Sequence, residues 1–219
     1  GIRDESLRLV GSEMCIRDRV ERWVGATDDR FGFVTNPARP EVVAWCDAYA
    51  GTVPEGGMVE VQFAATAWVG DALGRIDRGA LLLIDYGVSR REYYAAERSD
   101  GWLRCHFRHH AHNDPLVYPG IQDITSWVDF TAVAEAGAQS GLDIGGYTTQ
   151  GQFLLHGGMH LELDGFTELS TRQQAELSGQ VKMLTLPAEM GENFKVMALC
   201  RGDVSPPPAF AETDLAHRL

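Results

Sequence analysis

Apolar residues come early in the chain as short bursts between polar turns. Val20 to Val24 and Phe31 to Val34 flank Asp28-Asp29-Arg30, a pattern that predicts a peripheral β-hairpin. Met58 to Phe63 alternates loosely; Phe63, Ala67, Gly70 and Leu73 then share one helical face, so a short helix is expected to end near Gly74. The strongest strand signal is Ala80-Leu81-Leu82-Leu83-Ile84, an uninterrupted apolar run closed abruptly by Asp85-Tyr86-Gly87. Such a run predicts a strand buried on both faces of a parallel sheet, and hence an α/β fold.

Val88 to Gln122 is aromatic, His-rich and punctuated by Gly and Pro, with no regular period. An irregular stretch of about 35 residues inside a compact domain marks a functional segment or elements that pattern reading does not resolve. Ser126-x-x-Asp129 has the capping-box pattern, and Val128, Phe130, Ala132, Val133 and Gly137 continue it into a helix expected to stop at Gly141. Leu142 to Tyr147 reads as a weak strand, and Thr149 to His156 as a short helix closed by Gly157-Gly158. Thr171-x-x-Gln174 caps a clearer helix with Leu177, Val181 and Leu184 on one face and Pro187 beyond its end. Phe194 to Leu199 is the final strand. With no internal repeat and no dividing linker, residues 20–203 are expected to form part of one domain.

The two ends read differently. Gly1 to Arg19 repeats an Ile-Arg-Asp triplet at Ile2 and Ile16, lacks a period, and contains VGSEMCIRDR, which resembles translated adapter sequence. Residues 1–19 are therefore expected to be an artefactual or disordered arm, and the start at Gly1 instead of Met suggests a fragment. Residues 204–219, with Pro206-Pro207-Pro208, read as a disordered tail.

Composition narrows the partners. The chain has 219 residues, 44% of them apolar, enough for one filled core. A net charge of -12 leaves no basic stripe to neutralise phosphates, which argues against nucleic acid and favours a cationic partner, plain solubility being the other reading. Four scattered cysteines (Cys15, Cys46, Cys105 and Cys200) form no C-x-x-C pair, so neither a zinc ribbon nor a disulfide framework is suggested and a cytoplasmic location is expected. The longest apolar run falls far short of the roughly 18 residues of a membrane span, and no signal peptide opens the chain, so no membrane partner is expected.

Open α/β sheets bind ligands beyond the carboxyl ends of their strands, which singles out Asp85 and Tyr86. A loop-capping Asp85 and a packing Tyr86 explain the same residues. His106, His109, His110 and His112, with Asp114 behind them, invite a metal reading, yet their spacing matches no H-E-x-x-H or Cys/His signature. Hydrogen bonding within the loop, or contact with a substrate, fits them as well, and no metal is expected. Gly141, Gly145, Gly146 and Gly151 do not compose a G-x-G-x-x-G loop, no G-x-x-x-x-G-K-[ST] or G-x-S-x-G occurs, and Cys105 beside His106 is no catalytic pair on adjacency alone. Cofactor-binding residues are not identifiable from these patterns.

LLLIDYG (Leu81 to Gly87), REYY (Arg91 to Tyr94), the stretch from Leu103 to Thr125, WVDF (Trp127 to Phe130), TQGQFLL (Thr149 to Leu155) and EMGENFKVMAL (Glu189 to Leu199) together resemble the MidA family. That family includes mitochondrial complex I assembly methyltransferases and many bacterial relatives. The resemblance runs from about Val20 to Gly202 and departs at Trp127, where relatives commonly have His. It implies the C-terminal half of a class I, Rossmann-like S-adenosylmethionine-dependent methyltransferase, with Leu81 to Ile84 as the fifth of seven strands and Val88 to Gln122 as a loop insertion. The glycine-rich cofactor loop would then lie upstream, and the fragment alone would be inactive. Studied members methylate protein arginine, which implies a protein substrate with a basic target.

A guanidinium stays protonated, so its methylation calls for carboxylates that orient it. Asp85, Asp123 and Asp129 match acidic positions of the family motifs; Asp129 is also explained as a helix cap, which leaves Asp85 and Asp123 as the catalytic candidates. Glu60, Tyr86, Arg104, His106, His109, His112, Asp114 and Gln150 are the candidates for substrate contact. Two other classes fit parts of the sequence: a non-catalytic assembly module lacking the cofactor loop, and a metal-dependent hydrolase built on His106 to His112.

Overall fold

The computed structural model describes residues 9–12, 19–27, 30–51, 53–98 and 100–219. In chain order they form β1 (Leu9–Ser12), β2 (Arg19–Thr27), β3 (Arg30–Pro37), α1 (Pro40–Tyr49), β4 (Met58–Glu60), α2 (Phe63–Leu73) and β5 (Gly79–Val88). Then come α3 (Arg90–Tyr93), β6 (Arg104–Phe107), β7 (His110–His112), β8 (Asp123–Thr125), β9 (Val128–Asp129) and α4 (Phe130–Gln139). The chain continues through β10 (Asp143–Thr149), α5 (Gln150–His156), α6 (Thr171–Thr185), α7 (Met190–Asn193) and β11 (Phe194–Arg201). Where one undivided domain was expected, two compact units form: Gly1–Ala65 with Arg90–Trp127, and Thr66–Ser89 with Val128–Leu219. Their boundaries fall inside α2, just after β5 and just before β9, so no linker composition announces them.

In the first unit an antiparallel sheet runs in the order β3-β2-β1-β4. The expected hairpin is β2–β3, with Thr27 opposite Arg30; Asp28 and Asp29 of its turn lie outside the described residues. Part of the expected N-terminal arm is structured, since β1 pairs with both β2 and β4, and Arg19 opens β2. Residues 1–8 and 13–18 lie outside the described residues. Helix α1, which pattern reading missed, starts on Pro40, whose fixed φ suits a first helical turn, and it buries Val42 and Cys46. The aperiodic stretch after Val88 resolves into α3 and an antiparallel sheet in the order β7-β6-β8. Its strands are too short to show alternation, and the β6–β7 turn is built from Arg108 (φ 49°) and His109 (φ 65°), without the Gly or Asn that signals such a turn.

The sheet of the second unit runs β10-β11-β5-β9 and is mostly antiparallel, which corrects the expectation of a parallel sheet around the Ala80 run. β11 lies antiparallel to both β10 and β5, and the parallel pairing is confined to Gly87–Val128 and Val88–Asp129. Nor is β5 buried on both faces. Leu81 and Leu83 pack onto Val69, Leu73, Phe130, Val133, Met197 and Leu199, whereas Leu82 is 42% and Ile84 50% exposed. The opposite face of β11, Val196, Ala198 and Cys200, packs on Phe153 and Phe210. At Gly87 even a methyl group would meet the Phe130 ring and the Val128 carbonyl oxygen at 2.5 Å, so the strand end needs glycine. The Arg201 guanidinium donates to the carbonyls of Leu73 (3.1 Å), Ile76 (2.8 Å) and Ser140, satisfying groups left open at the ends of α2 and α4.

Two helix starts shift from their predicted frames. Asp129 itself is the N-cap of α4, its carboxylate accepting from the Ala132 amide at 3.0 Å, and Ser126 plays no part in that cap. At α6 the capping box is Ser170 with Gln173, one residue earlier than Thr171 with Gln174; both frames fit the pattern, and extended Ser170 takes the cap. The expected disordered tail is docked in this structure. Phe210 is 3% exposed, the Asp214 carboxylate accepts from the Tyr147 amide at 2.9 Å, and the Leu215 amide donates to the Tyr147 carbonyl at 2.6 Å. Truncating Phe210 to Ala should therefore cost about 3 kcal/mol, read as a lower thermal or urea midpoint. A variant as stable as wild type would mean that the tail contributes nothing to the core.

Candidate functional site

Glu60 ends β4 in the first unit, 6% exposed, and its carboxylate is satisfied by donors instead of facing solvent. Oε1 accepts the backbone amides of Trp102 (2.8 Å) and Leu103 (2.7 Å); Oε2 accepts the Tyr93 hydroxyl (3.2 Å) and the Ser126 hydroxyl. Gly101 permits this approach, because at its φ of 74° a Cβ would stand 2.7 Å from Oε1. Burial pushes the Tyr93 phenol well above its ordinary range, with the neighbouring Glu60 charge adding to it, so Tyr93 remains a donor. The Gln62 amide joins the cluster by donating to the Tyr93 hydroxyl (3.2 Å) and the Trp127 carbonyl, and the Trp102 and Trp127 rings stack at 4.5 Å. Sequence reading offered Glu60 for substrate contact and missed these donors, which engage both of its oxygens inside the fold. Two of those are backbone amides, which carry no side-chain signal.

Three short strands set out the remaining candidates of this unit. In the β7-β6-β8 sheet His106 lies opposite Asp123, and Arg104 opposite Thr125. Side chains alternate along a strand, so Arg104, His106 and Asp123 share one face, and all three are exposed. Cross-strand partners place their Cβ atoms roughly 5 Å apart, so an imidazole and a carboxylate stand side by side where a cationic group could reach the carboxylate. Cys105 faces the other way, fully buried with Leu103, and His110 and His112 belong to that opposite side. Burial raises the Cys105 thiol above its ordinary range, and Asp114 and Asp123 add to this, so it is a poor nucleophile. His112 is half-buried, edge-on to Tyr118, with Nδ1 accepting from the Asp114 amide at 3.4 Å, and the Asp114 carboxylate accepts from the Leu116 amide at 2.9 Å. His109 sits exposed in the turn. Among the described residues no three His, Cys, Asp or Glu side chains gather as a metal site. The alternation explains the separation of His106 from its neighbours, and the hydrolase alternative gains no support from it.

Asp85, Tyr86 and Gln150 belong to the second unit. Asp85 and Tyr86 lie near the end of β5, both exposed; the Asp85 carboxylate accepts the Tyr86 amide at 2.8 Å, and the Tyr86 ring packs on Phe194 at 3.9 Å. Desolvation raises the Asp85 carboxyl above its ordinary range, the Tyr86 hydrogen bond pulling weakly the other way. Gln150 is buried at the start of α5 and donates to the Leu184 carbonyl at 3.0 Å, so its amide serves the packing of α5 on α6. Among the described residues no glycine-rich turn follows β5, and the Asp85 carboxylate already holds its neighbour's amide.

Comparison with known proteins gives these residues a context. Residues 12–148 match the family described as "Putative S-adenosyl-L-methionine-dependent methyltransferase". The chain is 36% identical over 139 residues to the Drosophila melanogaster protein arginine methyltransferase NDUFAF7 homolog, mitochondrial, covering 61% of the chain and 30% of that protein. It is 35% identical over 125 residues to the Mus musculus mitochondrial protein arginine methyltransferase NDUFAF7, covering 55% and 26%. A Burkholderia thailandensis protein solved with bound S-adenosyl-homocysteine superposes with a TM-score of 0.86 at 40% identity, over 97% of this chain and 55% of that one. The chain thus spans about a third or less of the curated relatives and about half of the solved one. The cytoplasmic expectation is overturned, because both curated relatives are mitochondrial proteins. Scattered cysteines without a C-x-x-C pair do not single out the cytoplasm.

Two substitutions probe the geometry. Glu60→Ala strands the Trp102 and Leu103 amides and should cost about 3 kcal/mol, whereas Glu60→Gln, whose oxygen can keep the amides while its NH2 donates to the hydroxyls, should cost about 1 kcal/mol. Equal stabilities across the set in urea unfolding would contradict the four-donor arrangement. For Asp85 the raised folded-state pKa means that its contribution to stability is full below the unfolded value near pH 4 and is lost as pH rises through the folded value. The melting temperature of Asp85→Asn should match wild type at about pH 4 and exceed it at neutral pH. A difference that does not change with pH would refute this.

Proposed function

The chain belongs to this methyltransferase family, and from that premise we propose that it is the substrate-side part of an S-adenosylmethionine-dependent protein arginine methyltransferase. The family match over residues 12–148 carries the reading. The names of the two curated relatives favour arginine on a protein as the target. β5 fits the fifth strand of a seven-stranded methyltransferase sheet. β11 returns antiparallel between β5 and β10, and among the described residues the other edge of β5 is paired only at Gly87 and Val88. On this reading β5 takes a further strand from a part of the enzyme outside this chain, and the cofactor loop belongs to that part. The cofactor would supply the methyl group.

The chain's own residues would receive the guanidinium, which remains charged in proteins and must be oriented by carboxylates. Asp123, exposed beside His106, is the candidate for that role in the first unit, and Asp85, near the carboxyl end of β5, is the separate candidate of the second. Arg104, His106, His109, His112, Asp114 and Tyr86 would contact the surrounding peptide. Glu60 and Gln150, with their polar atoms engaged inside the fold, would act by positioning. The net charge of -12 suits a basic protein substrate.

The test joins this chain to the part of the Burkholderia relative that it does not cover. Methyl transfer from S-adenosylmethionine to an arginine peptide is expected from the chimera, and no cofactor binding by calorimetry from the chain alone. In the chimera, Asp123→Asn and Asp85→Asn should each lower transfer about a hundredfold with cofactor affinity unchanged. An inactive but folded chimera would overturn the reading. Full turnover in both Asn variants would overturn the carboxylate roles, and micromolar cofactor binding by the chain alone would overturn the division of the site.

A further inference from the structure

Helix α6, in the second unit, carries an apolar stripe that the unit leaves uncovered. Leu177 and Val181 stand one turn apart on it, and none of the helix residues is buried. Polar contacts hold the helix in place: the Gln174 amide donates to the carbonyls of Phe166 (3.2 Å) and Leu169 (3.1 Å), and Gln150 donates to that of Leu184. Between the stripe and the facing turns at Leu161–Leu163 and Phe166–Glu168 lies an open cavity of about 390 Å³, lined by Leu163, Phe166, Leu177, Ser178, Val181 and Lys182. Its two polar side chains are four residues apart on α6, on one face, and neither has a partner among the described residues. The Ser178 hydroxyl does not turn back onto its own helix, as the Thr185 hydroxyl does onto the Val181 carbonyl at 2.7 Å. The Lys182 ammonium forms no ion pair, although Glu162, Asp164 and Glu168 lie on the facing segment, and Glu176 of α6 is engaged by Arg172 at 2.9 Å.

We propose that this cavity binds a fatty carboxylate, with its alkyl chain between Leu163, Phe166, Leu177 and Val181 and its head group on Ser178 and Lys182. An apolar trough of this volume with a few polar groups in one place is the ordinary form of a small-molecule site. The walls select the tail. A peptide laid in the trough would leave its amides and carbonyls without partners, since the lining offers one hydroxyl and one ammonium, whereas an alkyl chain brings no polar group to satisfy. The cation selects the head group. In a chain of net charge -12, an unmatched ammonium beside apolar walls draws an anion, and the Ser178 hydroxyl adds a second donor one turn away. Burial of the tail would also cover the stripe that α6 leaves open. Nothing in this site depends on methyl transfer.

The test is calorimetric titration of the whole chain at neutral pH with sodium decanoate below its micelle concentration. One decanoate per chain is expected, with octanoate about tenfold weaker, the scale of two methylenes leaving water. Lys182→Gln should weaken decanoate about tenfold without moving the melting temperature, and decylammonium should bind wild type more weakly than decanoate does. Val181→Asp should abolish binding; if that variant does not fold, the exposed position of Lys182 still leaves Lys182→Gln to decide. Absence of saturable binding, equal binding of decylammonium, or indifference to Lys182→Gln overturns the proposal. Two other occupants would overturn it too. A concentration-dependent dimer in size-exclusion chromatography that Val181→Asp dissolves would give the stripe to a second copy of the chain, and loss of decanoate binding in the chimera would give it to the rest of the enzyme. None of these readouts involves methyl transfer, so failure here leaves the methyltransferase reading standing.

Discussion

A buried carboxylate is tolerable only if its charge is met by donors, and Glu60 meets that condition by drawing four segments of the first unit together. Its partners are the amides of Trp102 and Leu103, the Tyr93 phenol and the Ser126 hydroxyl. Each bond to the charged group fixes a place where the chain would otherwise wander: the end of α3, the entry to β6 and the segment before β9. The stacked Trp102 and Trp127 rings and the Gln62 amide then pack around a frame already fixed. The backbone carbonyl of the same residue accepts from the Tyr94 hydroxyl, which in turn accepts from the Trp45 indole of α1.

This constraint separates positioning from contact. A carboxylate with its lone pairs in use cannot also orient a substrate cation, so on the proposed reading that task would fall to exposed acids. Asp123 opens β8 opposite His106 of β6, the strand that also carries fully buried Cys105, and Asp85 lies near the end of β5 beyond Leu81 and Leu83, which pack into the core.

Sequence patterns revealed the elements that bury a continuous face and lost those held by specific bonds. The β2–β3 hairpin, α2, the Ala80 to Ile84 strand and α4 to α6 were legible because hydrophobic spacing and caps announced them. The direction of the β5 pairing was not, since an apolar run says that a strand is buried and not which way its neighbour points. β11 settles that, and it arrives more than a hundred residues later. The sheet after Val88 was illegible because three-residue strands carry no period and the Arg108-His109 turn uses residues that rarely take positive φ. Of the candidate site, family-motif resemblance supplied Asp85, Asp123 and the histidines. Their division between faces and between the two units depends on register and on contacts between distant segments, which spacing along the chain does not reveal.

The dependence of the first unit on Glu60 is most directly tested by native-state hydrogen exchange at the Trp102 and Leu103 amides, the two donors to Oε1. Both should be among the slowest-exchanging amides of that unit, opening only with its unfolding, and Glu60→Ala should speed them by a hundredfold or more, the scale of about 3 kcal/mol. Exchange as fast as in the exposed turn residues Arg108 and His109, or rates untouched by removing the carboxylate, would contradict the account.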